Sequence, residues 1–190
     1  SKTSTVGIII LILFILIPSS KLRSAGLFIL VLFYCIFQIT IVLQGNEVTN
    51  TYVVDFVENT LHKDMTFTYR TDIWHQSVLS IAYSPIIGYG CQSKEWYEQE
   101  IGAIMPHNYV LSLLMIGGFI LLICAVLNLL LAYRQYRRYN DYTHQILFIT
   151  LFVLLFMQLF EVYAFAITAI LFTCLSYIHL LKPYDKATTL

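Results

Sequence analysis

The chain has 190 residues, 58% hydrophobic and only 12% charged, with a mean hydropathy of +0.74, against roughly 25% charged in a soluble domain. That excludes an ordinary soluble globular protein, and eleven Lys and Arg balanced by eleven Asp and Glu leave no basic surplus for a nucleic acid partner. Cys35, Cys91, Cys124 and Cys174 stand singly without CxxC spacing, so they read as small apolar fillers rather than a metal or redox site.

Five apolar stretches follow in chain order. The first, residues 6–17, is unbroken up to Pro18 and can extend back to Ser1. The second, residues 25–43, would be about 28 Å long as a helix, close to the hydrocarbon thickness of a bilayer. After a long polar segment comes the third, residues 109–133. The run 145–181 is too long for one ordinary span and is interrupted by Glu161, which divides it into 145–160 and 164–181. The predicted fold is therefore an all-α polytopic membrane protein with about five transmembrane helices: two in residues 1–43 and three in residues 108–190, with residues 44–107 as a large loop between them. A signal peptide does not fit the start, because no small-residue cleavage site follows Ile17. The absent initiator Met and the short polar lead into the first apolar run suggest a sequence that opens part-way through a longer polytopic membrane protein.

Charge placement orients the chain. Lys21 and Arg23 follow the first helix, Arg134, Arg137 and Arg138 the third, and Lys182 and Lys186 the fifth, which places alternate loops on the cytoplasmic side. The basic stretch 134–138 reads as a topology signal, with an anionic lipid or phosphate site as the alternative. The loop 44–107 carries eight carboxylates against three cations, a net five negative charges, and is expected to face outward.

Within the loop, Thr71 and Asp72 are suitable N-caps for Ile73, Trp74, Val78, Ile81 and Ala82, whose spacing gives an amphipathic helix that Pro85 stops. In residues 84–90, one proline and two glycines force an exposed turn. Pro106 and His107 are then expected to open the third helix, where a proline's missing N–H costs nothing. At that outer mouth the positive end of the helix dipole favours a neutral imidazole. His107 can therefore serve as a general base, or simply as an interfacial residue. Arg70 can grip a diphosphate through paired hydrogen bonds or anchor a lipid headgroup. Glu161 lies either in a short outer turn or against a polar cavity. Tyr69, Trp74, Tyr89, Trp96 and Tyr97 suit both a membrane-interface belt and stacking on sugar rings.

The segments Thr66-Phe67-Thr68-Tyr69-Arg70-Thr71-Asp72-Ile73-Trp74, Pro85-Ile86-Ile87-Gly88-Tyr89-Gly90 and Pro106-His107-Asn108 together resemble the O-antigen ligase and polysaccharide polymerase family of bacterial membrane glycosyltransferases. The family's His-Asn, nine residues, then Gly is met by His107, Asn108 and Gly118. Leu121 stands where a small or aromatic residue is usual, and Tyr69 where Gly usually precedes the loop arginine. Ser1-Lys2 resembles the Ser-Arg at the head of a family membrane helix, with Lys for Arg.

The resemblance covers the chain from end to end as the C-terminal half of a family member, and it implies glycan transfer from an undecaprenyl-diphosphate carrier to a sugar hydroxyl of a growing glycan or lipid acceptor. The reaction would occur at the outer face of the bacterial cytoplasmic membrane, among membrane lipids, with no metal or other cofactor. His107 would be the base, and Arg70 with Lys2 would neutralise the diphosphate. Asn108, Glu161 and Trp74 would be supporting residues. Residues 66–89 look most like polymerases of exopolysaccharide and capsule, so polymerisation is favoured over ligation. A transporter of lipid-linked glycans would need charges in several spans, yet Glu161 alone among Asp, Glu, Lys and Arg interrupts an apolar run. A non-catalytic membrane subunit is the third alternative.

Overall fold

The computed structural model describes residues 2–17, 19–43, 66–139, 142–159, 162, 165–177 and 180. Among them every regular element is helical: α1 (Lys2–Leu16), α2 (Ser20–Phe37) running into a π turn (Gln38–Val42), α3 (Thr66–Tyr83), α4 (Lys94–Ile101), α5 (Tyr109–Tyr139), α6 (Tyr142–Met157) and α7 (Phe165–Tyr177). The loop segment 44–65, Glu161, Lys182 and Lys186 lie outside the described residues.

Helices form in all five apolar runs. The β-branched residues of α1 and α2 are only moderate helix formers in water. In an apolar solvent, however, helix formation satisfies every backbone polar group internally. α1 ends before Pro18, its last turn tightened by the Ile17 N–H donating to Phe14 O at 3.2 Å. α5, with 31 residues, is long and apolar enough to cross a membrane; the apolar helices over Gly7–Leu16, Val31–Val42, Thr143–Met157 and Ile167–Tyr177 are shorter. Large apolar side chains face outward along α1 (Ile8, Ile12, Leu16), α2 (Phe28, Ile29, Leu32) and α5 (Phe119, Ile123, Leu127), as helices surrounded by an apolar solvent require.

Two cores hold the helices together. One gathers Tyr136, Phe148, Leu151, Phe152, Phe172 and Leu175 from α5, α6 and α7. The rings of Tyr136 and Phe148 stack there at 4.0 Å, and Phe14 of α1 lies 4.3 Å from Phe152. α1 sits close on α6 because Gly7 leaves room for the Met157 side chain. The other core is built around Trp74, with Phe37, Val42, Ile81, Tyr97, Ile101, Leu111, Met115 and Leu159. It joins the loop helices α3 and α4 to the π turn, the first half of α5 and the end of α6.

Three expectations change. The loop helix runs over Thr66–Tyr83, so Thr71 and Asp72 lie inside it rather than at its cap; no Pro or Gly separates Thr66 from Asp72, and an established helix propagates past residues that merely favour caps. The third apolar run is not a regular helix throughout, because α5 breaks at Gly117 and Gly118. Cys35, Cys91 and Cys124 are exposed and Cys174 half-buried, so the first three do not fill the core.

Candidate active site

The break in α5 and the turn before α4 are one structure. In a continuous helix the Phe119 and Ile120 N–H groups would donate to Met115 O and Ile116 O. Here Phe119 N donates to Pro85 O at 2.8 Å and Ile120 N to Ile86 O at 3.3 Å, while Met115 O and Ile116 O accept from Tyr89 N at 2.7 Å and Gly90 N at 2.8 Å. The turn 85–90 thus inserts into the helix and satisfies both sides of the gap, as buried backbone requires. Gly118 has φ +58 and ψ −157, and Gly88 has φ +64, conformations that disfavour a Cβ.

Neighbouring groups brace this clasp. Ser84 Oγ donates to Gly88 O at 2.8 Å, and the Tyr89 hydroxyl to Ser80 O at 2.6 Å. Burial, then the Glu100 carboxylate and the Tyr83 hydroxyl, hold the Tyr89 phenol above its ordinary ionisation range. The Tyr89 ring lies 5.0 Å from that of Trp96 on α4. Ser93 caps α4 by accepting from Trp96 N at 3.3 Å, and Gly102 closes the other end in the left-handed region. Glu95, fully exposed in the first turn, has its carboxyl held below the ordinary range by its own backbone N–H and then by Ser93.

At the start of α5, Pro106 is buried, His107 half-buried and Asn108 fully buried. Pro106 and His107 lie ahead of the helix rather than opening it, because Asn108 takes the capping position before Tyr109. Asn108 Oδ1 accepts from Leu111 N at 3.2 Å, the bond an N-cap makes to the third helical residue. Asn108 O accepts from both the N–H and the hydroxyl of Ser112, each at 2.9 Å. His107 itself has φ +51, the one non-glycine residue with positive φ among the described residues. A histidine there is held against a backbone preference of about 1 kcal/mol or more.

Two further residues complete the surroundings of Asn108. Gln38, at the start of the π turn, donates through Nε2 to Asn108 Oδ1 at 3.0 Å. Gln158, at the end of α6, accepts from Tyr109 N at 3.2 Å through its backbone carbonyl, and its Nε2 donates to Thr168 Oγ1 at 2.9 Å. Neither amide was singled out from the sequence, although each is a strongly polar side chain within an apolar run, the signal that would have found them.

Arg70 is half-buried on α3, one turn before Trp74, and α3 packs along α5. Arg70 therefore sits on a helix packed against α5, whose first residue, Tyr109, follows His107 closely in the chain. Trp74 is fully buried and meets Phe37 edge-on at 5.7 Å, so in this structure its ring fills the core rather than facing a sugar or the membrane interface. Lys2 opens α1, which packs on α6; its side chain lies outside the described part, as does Glu161. Among the described residues, no three His, Cys, Asp or Glu side chains gather as metal ligands would.

A family model described as O-Antigen ligase matches residues 1–126. No curated protein and no solved structure matches the chain.

Proposed function

The chain belongs to the O-antigen ligase family of membrane-integral proteins, whose members carry out ligase- or polymerase-type glycan transfer, and from that premise we propose that His107 is the general base of such a transfer. The donor is a glycan on undecaprenyl diphosphate and the acceptor is a sugar hydroxyl. The acceptor oxygen attacks the anomeric carbon as the bond from that carbon to the diphosphate oxygen breaks, with the electron pair leaving on the diphosphate. His107 takes the hydroxyl proton and later releases it to solvent.

The diphosphate is already a good leaving group, so the protein mainly orients the two sugars and neutralises growing negative charge. Arg70, with Lys2, supplies the cations, and the reaction proceeds without a metal. Asn108 holds the base, Trp74 fixes the helix that carries Arg70, and Glu161 orients the imidazole or binds the acceptor. Repeat-unit polymerisation is the favoured outcome, on the likeness of residues 66–89 to exopolysaccharide and capsule polymerases.

The observation that carries this reading is the left-handed backbone of His107. A bulky side chain kept in that conformation, beside a buried cap whose side-chain oxygen takes two hydrogen bonds, is the kind of strain that accumulates at working sites. The membrane placement proposed is five spans in the bacterial cytoplasmic membrane, with His107 outside. It is supported by α5, which starts just after His107 and carries Arg137 and Arg138 in its last turn.

The test is transfer from a synthetic lipid-diphosphate donor by full-length His107→Ala and Arg70→Ala proteins at matched membrane levels, with and without a chelator. Loss of transfer in both variants, with no chelator effect on the unmodified enzyme, is expected. Near-normal turnover by His107→Ala would overturn the assignment of the base. Product length separates the outcomes: a ladder of repeats for polymerisation, a single addition for ligation.

A further inference from the structure

We infer that Gln38 is a positioning residue for His107, acting through the side chain of Asn108; the inference rests on the reading of His107 as the base. Gln38 is seventy residues from Asn108 in sequence, yet its Nε2 donates to Asn108 Oδ1 at 3.0 Å. The π turn delivers it there. Leu43 N donates to Gln38 O at 2.9 Å across five residues, and the wider turn rotates the faces of the helix relative to a regular α-helix. Such single π turns are frequent at functional sites.

What Gln38 secures is the side chain of Asn108, the residue that directly follows His107. Asn108 Oδ1 carries two donors, Gln38 Nε2 and Leu111 N, and the Leu111 group is a backbone N–H that can only donate. The carboxamide therefore has one favourable orientation, with its oxygen between α2 and α5. The Asn108 carbonyl is held twice by Ser112, and the N–H of the same peptide, Tyr109 N, donates to Gln158 O. The Asn108 side-chain oxygen, the Asn108 carbonyl and the Tyr109 N–H are thus all held on the C-terminal side of His107, while His107 keeps φ +51. Without Gln38 the cap to Leu111 remains, but the link from the cap to α2 is lost. The imidazole can then drift relative to elements packed on the π turn, α3 and Arg70 among them.

A base displaced by about 1 Å can lose roughly a hundredfold in rate. Gln38→Leu and the more nearly isosteric Gln38→Met are expected to lower kcat at least tenfold per folded molecule, while the KM for the lipid-diphosphate donor changes less than threefold. The discriminating measurement repeats both substitutions in an Asn108→Ser background. Serine still caps α5 but is too short to engage Gln38, so neither substitution should lower kcat further there. An equal fall in both backgrounds would show that Gln38 acts by packing alone and overturn the inference, as would an unchanged kcat in the otherwise unmodified enzyme. His107→Ala in the same assay keeps the two readings apart: if it still transfers glycan, the proposed base is wrong, whatever Gln38 does.

Discussion

Gly88 and Gly118 interlock two backbones. A Cβ on Gly88 would stand 2.6 Å from Met115 O and 2.7 Å from Gly117 N, and one on Gly118 would strike the Ile86 carbonyl and lie 2.6 Å from Ile87 N. Each glycine leaves space that the other's segment occupies, and this contact lets the turn 85–90 complete the broken helix α5.

Alanine at either position therefore meets both an unfavourable φ and a collision with backbone atoms that cannot swing away. Gly90, at φ +75 with no atom within 4 Å of a built Cβ, isolates the first effect. Gly90→Ala is expected to cost about 1 kcal/mol, and Gly88→Ala and Gly118→Ala distinctly more, with loss of transfer. Thermal midpoints of the three variants in one detergent give the order. Equal midpoints would mean that the clasp is loose.

The clasp also has a predicted alkaline weakness. Tyr89 donates its phenolic proton to Ser80 O, and its ionisation is held above the ordinary tyrosine value of about 10. A folded-state value raised above the unfolded one gives stability that is fully present below pH 10 and is lost as pH rises through the raised value. Tyr89→Phe is expected to cost about 1 kcal/mol near neutrality, the net worth of the lost hydrogen bond, and to flatten the alkaline fall in stability. Denaturation midpoints measured from pH 8 to 11 check both.

Trp74 can be tested as a core residue. Truncation to Ala should cost about 3–5 kcal/mol and deplete the folded protein, because its ring is fully buried between α2, α3 and α5. Trp74→Phe should recover most of that stability, with transfer per folded molecule close to normal. Stable Phe protein that fails to transfer would instead assign the indole a direct part in binding glycan.

The apolar helices were legible because length and composition decide them: each apolar run in residues 6–17, 25–43, 109–133, 145–160 and 164–181 contains a helix. The break in α5 was not, since Gly117 and Gly118 are tolerable within an apolar helix until Pro85 and Ile86, more than thirty residues earlier, present the carbonyls that replace its own. Gly118 entered the sequence reading only through the family pattern, and its reason is this nonlocal exchange. His107 was found from Pro106 and Asn108 beside it, but its left-handed backbone could not be, because no local residue pattern specifies it and the residues that follow are tied to Gln38 and Gln158, far away in sequence.

That backbone gives the last prediction, which separates strain from chemistry at one position. His107→Ala removes the imidazole but keeps a Cβ at φ +51, whereas His107→Gly removes both the imidazole and the conformational conflict. If His107 is held in place for its chemistry, the glycine variant should be more stable than the alanine variant by about 1 kcal/mol and just as inactive. Paired thermal midpoints and transfer assays of the two variants would then show a difference in stability with no difference in activity. A glycine variant less stable than alanine would mean that His107 is not strained, and the argument from its backbone to catalysis would fall.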